Sequence, residues 1–249
     1  MLTPERHQLI IKTVKNDHTS KIKRLVEVTG ASESTIRRDL DQLEDQGLLR
    51  RVHGGASLSS SASEEPTMVE KVTKFHSEKQ AIAQYAASLV QEGDCIFIDA
   101  GSTTYEMIPF LKEKNIIVVT NGLSHLDALN NHQIKTYVLG GLVKHQTGAV
   151  VGSGAIQNLQ QYRFDQCFMG ANGVTLKDGY TTPDPEEAAI KEMTLNLSKN
   201  RFVLADHSKF EKVAFMKFSD LSEAEIITDF NGASIEEYRK KTNIKVVTT

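Results

Sequence analysis

The chain has 249 residues, 39% of them hydrophobic and 24% charged, which is enough for one large or two modest folded domains. No apolar run is long enough to span a bilayer and the first residues lack a signal-peptide core, so a soluble, cytoplasmic protein without a membrane anchor is expected. Cys95 and Cys167 sit in strand-like runs without CxxC or Cys/His clustering, which argues for reduced thiols and against a disulfide or a metal site, and no cofactor is expected.

Thr3-Pro4-Glu5 has the pattern of an N-cap, a proline at N1 and an acid in the first turn, and Leu9, Ile10 and Val14 give that first helix an apolar face. Ile22, Leu25 and Val26 mark a second short helix, stopped by Gly30. Ser32 then caps a third, in which Ile36, Leu40 and Leu43 recur on one buried face and Gly47 stands where a stop glycine belongs. Two β-prone pieces flank Gly54-Gly55, which predicts a hairpin carrying Arg50, Arg51 and His53. Three helices and a basic hairpin make a winged helix-turn-helix. In that geometry Ser32, Ser34, Thr35, Arg37 and Arg38 can reach phosphates and base edges of double-stranded DNA, with the wing residues adding phosphate contacts. An ordinary amphipathic helix with solvated charges is the alternative. Net charge does not decide between them. Residues 1–60 hold ten Lys and Arg against eight Asp and Glu, a net of +2, and the remainder is at −5, so the local placement of Arg37, Arg38, Arg50 and Arg51 carries the argument.

These segments resemble the DNA-binding domain of the DeoR family of bacterial transcription regulators. The likeness lies in Arg6 with Ile10 and Val14, in Ser32-x-x-Thr35-Ile36-Arg37-Arg38-Asp39-Leu40, in Gly47, and in Arg51-Val52-His53-Gly54-Gly55-Ala56. Within the family the wording is most similar to the fructose-operon repressors.

Ser59 to Pro66 is polar and unpatterned, hence a linker, and the domains are placed at 1–58, with 59–75 connecting, and 76–249. Ser77-Glu78-Lys79-Gln80 reads as a capping box ahead of an amphipathic helix through Ile82, Ala86 and Val90. Strands are predicted over 95–99, 116–120, 135–139, 166–170, 201–205, 225–228 and 244–248, and helices near 104–112, 123–130, 186–199 and 234–241. This alternation predicts an α/β domain with an open, mostly parallel sheet, whose ligands bind beyond the carboxyl ends of the strands. Residues 142–165 give no residue-level pattern.

After the first of these strands, Asp99-Ala100-Gly101-Ser102-Thr103-Thr104 combines small residues, three hydroxyls and an immediate helix start. It suits a phosphate cradle, or merely a capped turn, and is neither a Walker A nor a GxGxxG motif. Asn121, Gly140, Gly141 and Asn172 follow later strands, and Lys209 is a candidate counter-charge. Asp184-Pro185-Glu186-Glu187 fits a capping box, so that Glu187 is either structural, with Lys191 as its i+4 partner, or faces a ligand together with Lys191.

The resemblance extends to this half, which is similar to the DeoR-type effector domain and through it to ribose-5-phosphate isomerase. It implies that Asp99, Gly101, Ser102, Thr103 and Thr104 form the phosphate loop, and that Asn121, Gly140, Gly141, Asn172, Glu187, Lys191 and Lys209 stand at or near the effector pocket. The expectation is a non-enzymatic repressor of a sugar-utilisation operon, of the fructose/phosphotransferase type. It would act as a homodimer or homotetramer and leave operator DNA on binding a phosphorylated sugar, with fructose 1-phosphate the first guess. A sugar-phosphate isomerase using Asp99, Glu187 and Lys191, and a transcriptional activator, are the alternatives.

Overall fold

The computed structural model describes residues 2–17, 19–45, 48–52, 54–58, 68–112 and 114–248. The chain divides into two compact units, Met1–Glu64 and Glu65–Thr249. Gly47, His53 and the run 59–66, each given a role by sequence, lie outside the described residues.

The first unit runs α1 (Thr3–Asp17), β1 (Thr19–Lys21), α2 (Ile22–Thr29), α3 (Glu33–Asp45), β2 (Leu49–Val52) and β3 (Gly55–Leu58), with a three-stranded antiparallel sheet in the order β1-β3-β2. Ile10, Val14, Leu25, Ile36, Leu40 and Leu43 bury its core, which is the predicted apolar face of each helix. Helix α1 starts at Thr3 rather than after it, and the Glu5 carboxylate accepts the Leu2 N–H at 3.1 Å. Gly30 ends α2 in the left-handed region, φ 70°, its N–H donating to Val26 O at 2.8 Å. The Ser32 hydroxyl accepts the Thr35 N–H at 3.3 Å, as a cap should. Strand β1 has no sequence pattern of its own. Its signature is Gly55, where a Cβ would come within 2.2 Å of Ser20 O, so that a bare backbone is what lets β3 lie against β1.

The second unit opens with α4 (Met68–Thr73) and α5 (His76–Ser88), so the latter part of the expected 59–75 connection is helical. The capping box at Ser77 does not form. Helix α5 begins one residue earlier, with Phe75 at its N-cap position in the left-handed region, φ 55°, and the Ser77 hydroxyl donates to Glu78 at 3.0 Å. There follow β4 (Cys95–Ile98), α6 (Ser102–Tyr105), β5 (Ile117–Thr120), α7 (Leu123–Asn131), β6 (Lys135–Val138), the hairpin β7 (Leu142–Lys144) and β8 (Ala149–Val151), then α8 (Ser153–Leu159) and β9 (Phe164–Gly170). Then come β10 (Gly173–Thr175), β11 (Gly179–Thr182), α9 (Pro185–Asn196), β12 (Ser198–Leu204), β13 (Met216–Ser219), β14 (Glu225–Thr228), α10 (Ile235–Arg239) and β15 (Ile244–Val246). The expected helix at 104–112 is instead the short α6 and a 3-10 turn over Ile108–Leu111, and Ser198 to Asn200 belong to β12 rather than to the helix before it.

All seven predicted strands join one sheet, in the order β15-β14-β12-β9-β4-β5-β6, and every neighbouring pair is parallel. Alternate residues of a strand enter opposite apolar layers. Phe97, Val119, Cys167 and Val203 pack on one face, and Ile96, Ile98, Val118 and Phe168 on the other. A small antiparallel sheet, β10-β11-β13, flanks it. From β4 the chain moves outward to β5 and β6, then returns to the far side with β9, β12, β14 and β15. The strand order therefore reverses between β4 and β9, and the crevice this leaves at their carboxyl ends is where such sheets bind ligands.

Candidate functional site

In the first unit, a buried ion pair joins α1 to α3. Arg6 of α1 donates twice to Asp39 of α3, at 2.5 and 2.9 Å, and His7 Nε2 lies 3.1 Å from the same carboxylate. Burial pushes the Asp39 pKa up, but the hydrogen bonds from Arg6 and His7 and their charge outweigh it and hold the group below its ordinary value. Two residues of the family-like motif thus serve architecture, and the opposite side of α3 is left outward. Ser32, Ser34, Arg37 and Arg38 are exposed and Thr35 is half-buried. Arg37 pairs with Glu33 at 2.5 Å across one helical turn, whereas Arg38 makes no ion pair among the described residues. On the wing, Arg51 is tied to α3 twice, through its guanidinium to Asp41 and through its N–H to Glu44 at 3.0 Å. Arg50 is half-buried beside it, and Gly54 makes the turn at φ 80°.

In the second unit, the groups after β4 and β9 meet at the switch point. Asp99 Oδ2 accepts the Gly170 N–H at 2.9 Å and the Lys191 ammonium, which also donates to Gly170 O at 3.0 Å. Lys191 and Asp99 are both buried, and Lys191 does not pair with Glu187. The Thr104 hydroxyl turns inward, donating to Asp99 O at 2.6 Å and Gly101 O at 2.9 Å, and Asn121 Oδ1 accepts the Ala100 N–H at 2.8 Å. Asp99, Thr104, Asn121 and Lys191 therefore brace the loop. Gly101 is half-buried, Ser102 and Thr103 keep a small exposure of 8% each, and their two hydroxyls make no hydrogen bond among the described residues.

Glu187 heads a second cluster. Asp184 does cap α9, accepting the Glu186 and Glu187 N–H groups at 2.8 and 3.0 Å, but the Glu187 carboxylate does not close a capping box. It accepts instead from Lys144 and Thr147 of the β7–β8 hairpin, each at 2.9 Å, and from Thr182 at 3.5 Å, whose hydroxyl also reaches Asn172 Oδ1 at 3.2 Å. Gly140 and Gly141 lie at the base of that hairpin. A Cβ at Gly141 would come within 2.5 Å of Val151 O, so this glycine serves close packing against β8.

The third cluster surrounds Asp206, buried just beyond β12, and much of it escaped the sequence reading. Oδ1 of Asp206 accepts the Ser208 N–H at 2.9 Å, while Oδ2, also buried, has no hydrogen-bond partner. Burial raises the Asp206 pKa; the charge of Lys209, the Ser208 bonds and the charge of Lys79 overcome this and keep it low. Lys79 of α5 is 3% exposed, and burial lowers its pKa to about 8 against the favourable fields of Asp206 and Glu106. Lys212 is likewise lowered by burial and supported by Asp206. The charges of buried Lys79, half-buried Lys209 and exposed Lys212 thus all act on one carboxylate, with no ion pair to it within 4 Å among the described residues. Helices α4 and α5 both pack against α6, whose first two residues are Ser102 and Thr103. Lys79 was hidden because a lysine in an alanine-rich helix looks solvated; the signal was its place among Ile82, Ala83 and Ala86 on the buried side.

Residues 6–62 match the DeoR-like helix-turn-helix domain and residues 74–230 match the DeoR C terminal sensor domain. The chain belongs to the DeoR family. Among its relatives, an uncharacterized HTH-type transcriptional regulator FruR of Bacillus subtilis is 51% identical over 249 residues, covering 99% of each chain. A lactose phosphotransferase system repressor of Lactococcus lactis is 40% identical over 83% of each chain. A putative aga operon transcriptional repressor of Escherichia coli O157:H7 is 31% identical over 96% of this chain and 91% of its own. These DeoR-family relatives carry the names of regulators, not of enzymes. Among solved structures, ribose 5-phosphate isomerase A from Methanocaldococcus jannaschii is similar over 53% of each chain, at 19% identity and a TM-score of 0.40. Among the described residues no helix is long and apolar enough to cross a membrane.

Proposed function

We propose that this DeoR-family chain is a sequence-specific, DNA-binding repressor of a sugar-utilisation operon that releases its operator on binding a phosphorylated sugar. One observation carries the effector half. The charges of Lys79, Lys209 and Lys212 all act on the one carboxylate of Asp206 just beyond β12, and Ser102 and Thr103, just beyond β4, carry two hydroxyls with no hydrogen bond among the described residues. Three lysines, of which Lys79 is buried, outnumber that one carboxylate, and the positive charge left over suits a dianionic phosphate. Asn172, Glu187 and the hairpin behind it offer acceptors for sugar hydroxyls. Asp99, Gly101, Thr104, Asn121 and Lys191 hold the loop in shape, and Gly140 and Gly141 set the hairpin base.

On the DNA side, Ser32, Ser34, Thr35, Arg37 and Arg38 face the major groove, with Arg50, Arg51 and His53 on flanking phosphates. DNA binding belongs to residues 1–58 and effector binding to 76–249, working in the cytoplasm. Asp99 is engaged by Lys191 and Glu187 by Lys144 and Thr147, so the carboxylates an isomerase would use are already paired, which disfavours that chemistry. Fructose 1-phosphate is the first candidate, supported by the name of the 51% identical relative. A dimer or tetramer is expected, because one small module with few basic side chains binds DNA weakly.

The coupling required is modest, since a tenfold loss of operator affinity corresponds to about 1.4 kcal/mol. The test is an operator titration of the full chain on promoter DNA of its own operon. The panel comprises fructose 1-phosphate, fructose 6-phosphate, tagatose 6-phosphate, ribose 5-phosphate and glycerol 3-phosphate. At least one should weaken binding tenfold or more, about the usual scale of such coupling. A titration unmoved by all five sinks the reading.

A further inference from the structure

Helix α4 is short, and the structure holds it by bonds whose other ends lie in the candidate effector clusters. The Lys79 ammonium donates to Lys71 O, a carbonyl in the last turn of α4 that the helix cannot satisfy itself. At the other end, the Met68 N–H, equally an orphan of the first turn, donates at 3.3 Å to Gln146 O in the tip of the β7–β8 hairpin. That same tip places Lys144 and Thr147 on Glu187. Between α4 and α5, Phe75 sits at φ 55°, a conformation uncommon outside glycine and asparagine, and its ring meets the His207 ring edge-on at 4.7 Å. His207 is in turn bonded to Asp229 at 2.5 Å, just past the end of β14. Gln146 and His207 lie just beyond strand ends, and Lys79 belongs to the Asp206 cluster. In the chain, α4 directly follows residues 59–67, which lead back to the first unit.

We propose that α4 is the output element of the effector site, reading phosphate through Lys79 and sugar hydroxyls through Glu187 and the hairpin tip. This rests on the effector reading above. An anion beside Ser102 and Thr103 draws the Lys79 ammonium toward itself and away from Lys71 O. A sugar hydroxyl on Glu187 competes with Lys144 and Thr147, so the tip that holds Met68 shifts. Either event changes how the start of this unit is pinned, and a ligand that favours one pinning over the other biases the segment entering the DNA-binding unit.

The decisive variant is Met68→Pro. Proline is well tolerated at the first helical position, and it deletes the one N–H that binds Gln146 while touching neither cluster. Met68→Ala keeps that N–H and serves as its control. In the full chain, operator affinity is measured with and without the sugar phosphate from the panel that the wild type binds most tightly, alongside calorimetric binding of that sugar phosphate. Met68→Pro should bind the sugar phosphate and the operator within about twofold of wild type, yet lose about three- to tenfold of the effector-induced change in operator affinity, the scale of one hydrogen bond. Met68→Ala should respond as wild type. Should Met68→Pro lack a cooperative thermal transition, Phe75→Gly, which suits the left-handed φ and removes the ring that meets His207, takes its place and should lower the same response with sugar-phosphate binding unchanged. A full response in the folded variant overturns the role of α4 and leaves effector binding standing. If wild type binds no sugar phosphate, or binds one without releasing DNA, the effector reading falls and this inference with it.

Discussion

Each unit buries a carboxylate under a cation, and the two pairs are built differently. Asp39 meets a guanidinium that takes both of its oxygens, with His7 in support, and Arg6 keeps a 13% exposed side chain. Asp99 meets an ammonium, and both side chains are almost wholly out of water. In the first unit the paired charge is scaffolding, and the exposed residues proposed to meet DNA lie on the other side of α3. In the second, Lys191 and Lys79 are buried, and Oδ2 of Asp206 has no hydrogen-bond partner among the described residues, a pattern that marks functional sites.

The sharpest way to break the comparison is to remove the carboxylates. Asp99→Ala strands the Lys191 ammonium in the interior beside Gly170 O, and loss of one partner of a buried pair costs about 3–5 kcal/mol. Urea unfolding should show that loss in the sheet unit. Asp39→Ala should cost less, because the Arg6 guanidinium can turn to water from where it stands. Equal losses would mean that the two pairs are alike after all.

DNA binding offers the next largest effect. Arg38→Ala should reduce discrimination between the operator and a site altered at one base pair by about 1–3 kcal/mol if Arg38 reads a base. Arg37, already paired with Glu33, should give the smaller change. Arg51→Ala should weaken specific and nonspecific DNA together and flatten the salt dependence by about 0.9 in the logarithmic slope for one phosphate contact. A wing variant that altered specificity alone would reverse this division.

The first unit was nearly all legible in the sequence, because its elements are local. A cap, an apolar stripe and a stop glycine each announce a helix within a few residues. Strand β1 escaped because three residues carry no period, and its only trace is the bare backbone at Gly55. The sheet was legible for a different reason: strands covered on both faces are apolar throughout, and Ile96, Phe97 and Ile98 cannot sit elsewhere. What could not be read was pairing over long separations. Glu187 and Lys191 at helical spacing looked like partners, yet Lys191 reaches Asp99, 92 residues away, and Glu187 takes Lys144 and Thr147 from a stretch without pattern. The site is made by topology, and spacing along one helix says little about it.

Lys79 sharpens the contrast through pH. Its pKa of about 8 lies below the ordinary 10.5, so the unfolded chain binds more protons between those values. The Lys79 contribution to stability should therefore rise as pH climbs from about 8 to about 10.5, the burial penalty being felt in full below that window. Phosphate affinity should move the other way, falling as the ammonium is lost above about pH 8. Lys79→Met should remove both trends and weaken sugar-phosphate binding by about tenfold, on the scale of one charge-assisted hydrogen bond. Calorimetric titrations at pH 7 and 9 would check this, and a pH-independent affinity in the wild type would place the anion elsewhere.

The smallest effect at neutral pH should come from His125. Its imidazole is fully buried on α7, edge-on to Tyr105 at 5.7 Å, and neither ring nitrogen has a hydrogen-bond partner. Nδ1 lies where a Cβ on residue 122 would be only 2.0 Å away, so Gly122 and His125 fit as a pair. Burial lowers the imidazole pKa to about 4, partly opposed by the Gly122 backbone. The folded chain therefore binds fewer protons than the unfolded chain between about pH 6.5 and 4, and stability should fall as pH drops through that window. His125→Leu, close in volume, trades two unsatisfied polar atoms for apolar ones and should change stability at pH 7 by no more than about 1 kcal/mol. It should also lose part of the acid sensitivity, seen by urea unfolding at pH 7 and pH 5. An unchanged acid limb would mean that the imidazole takes up its proton where it stands.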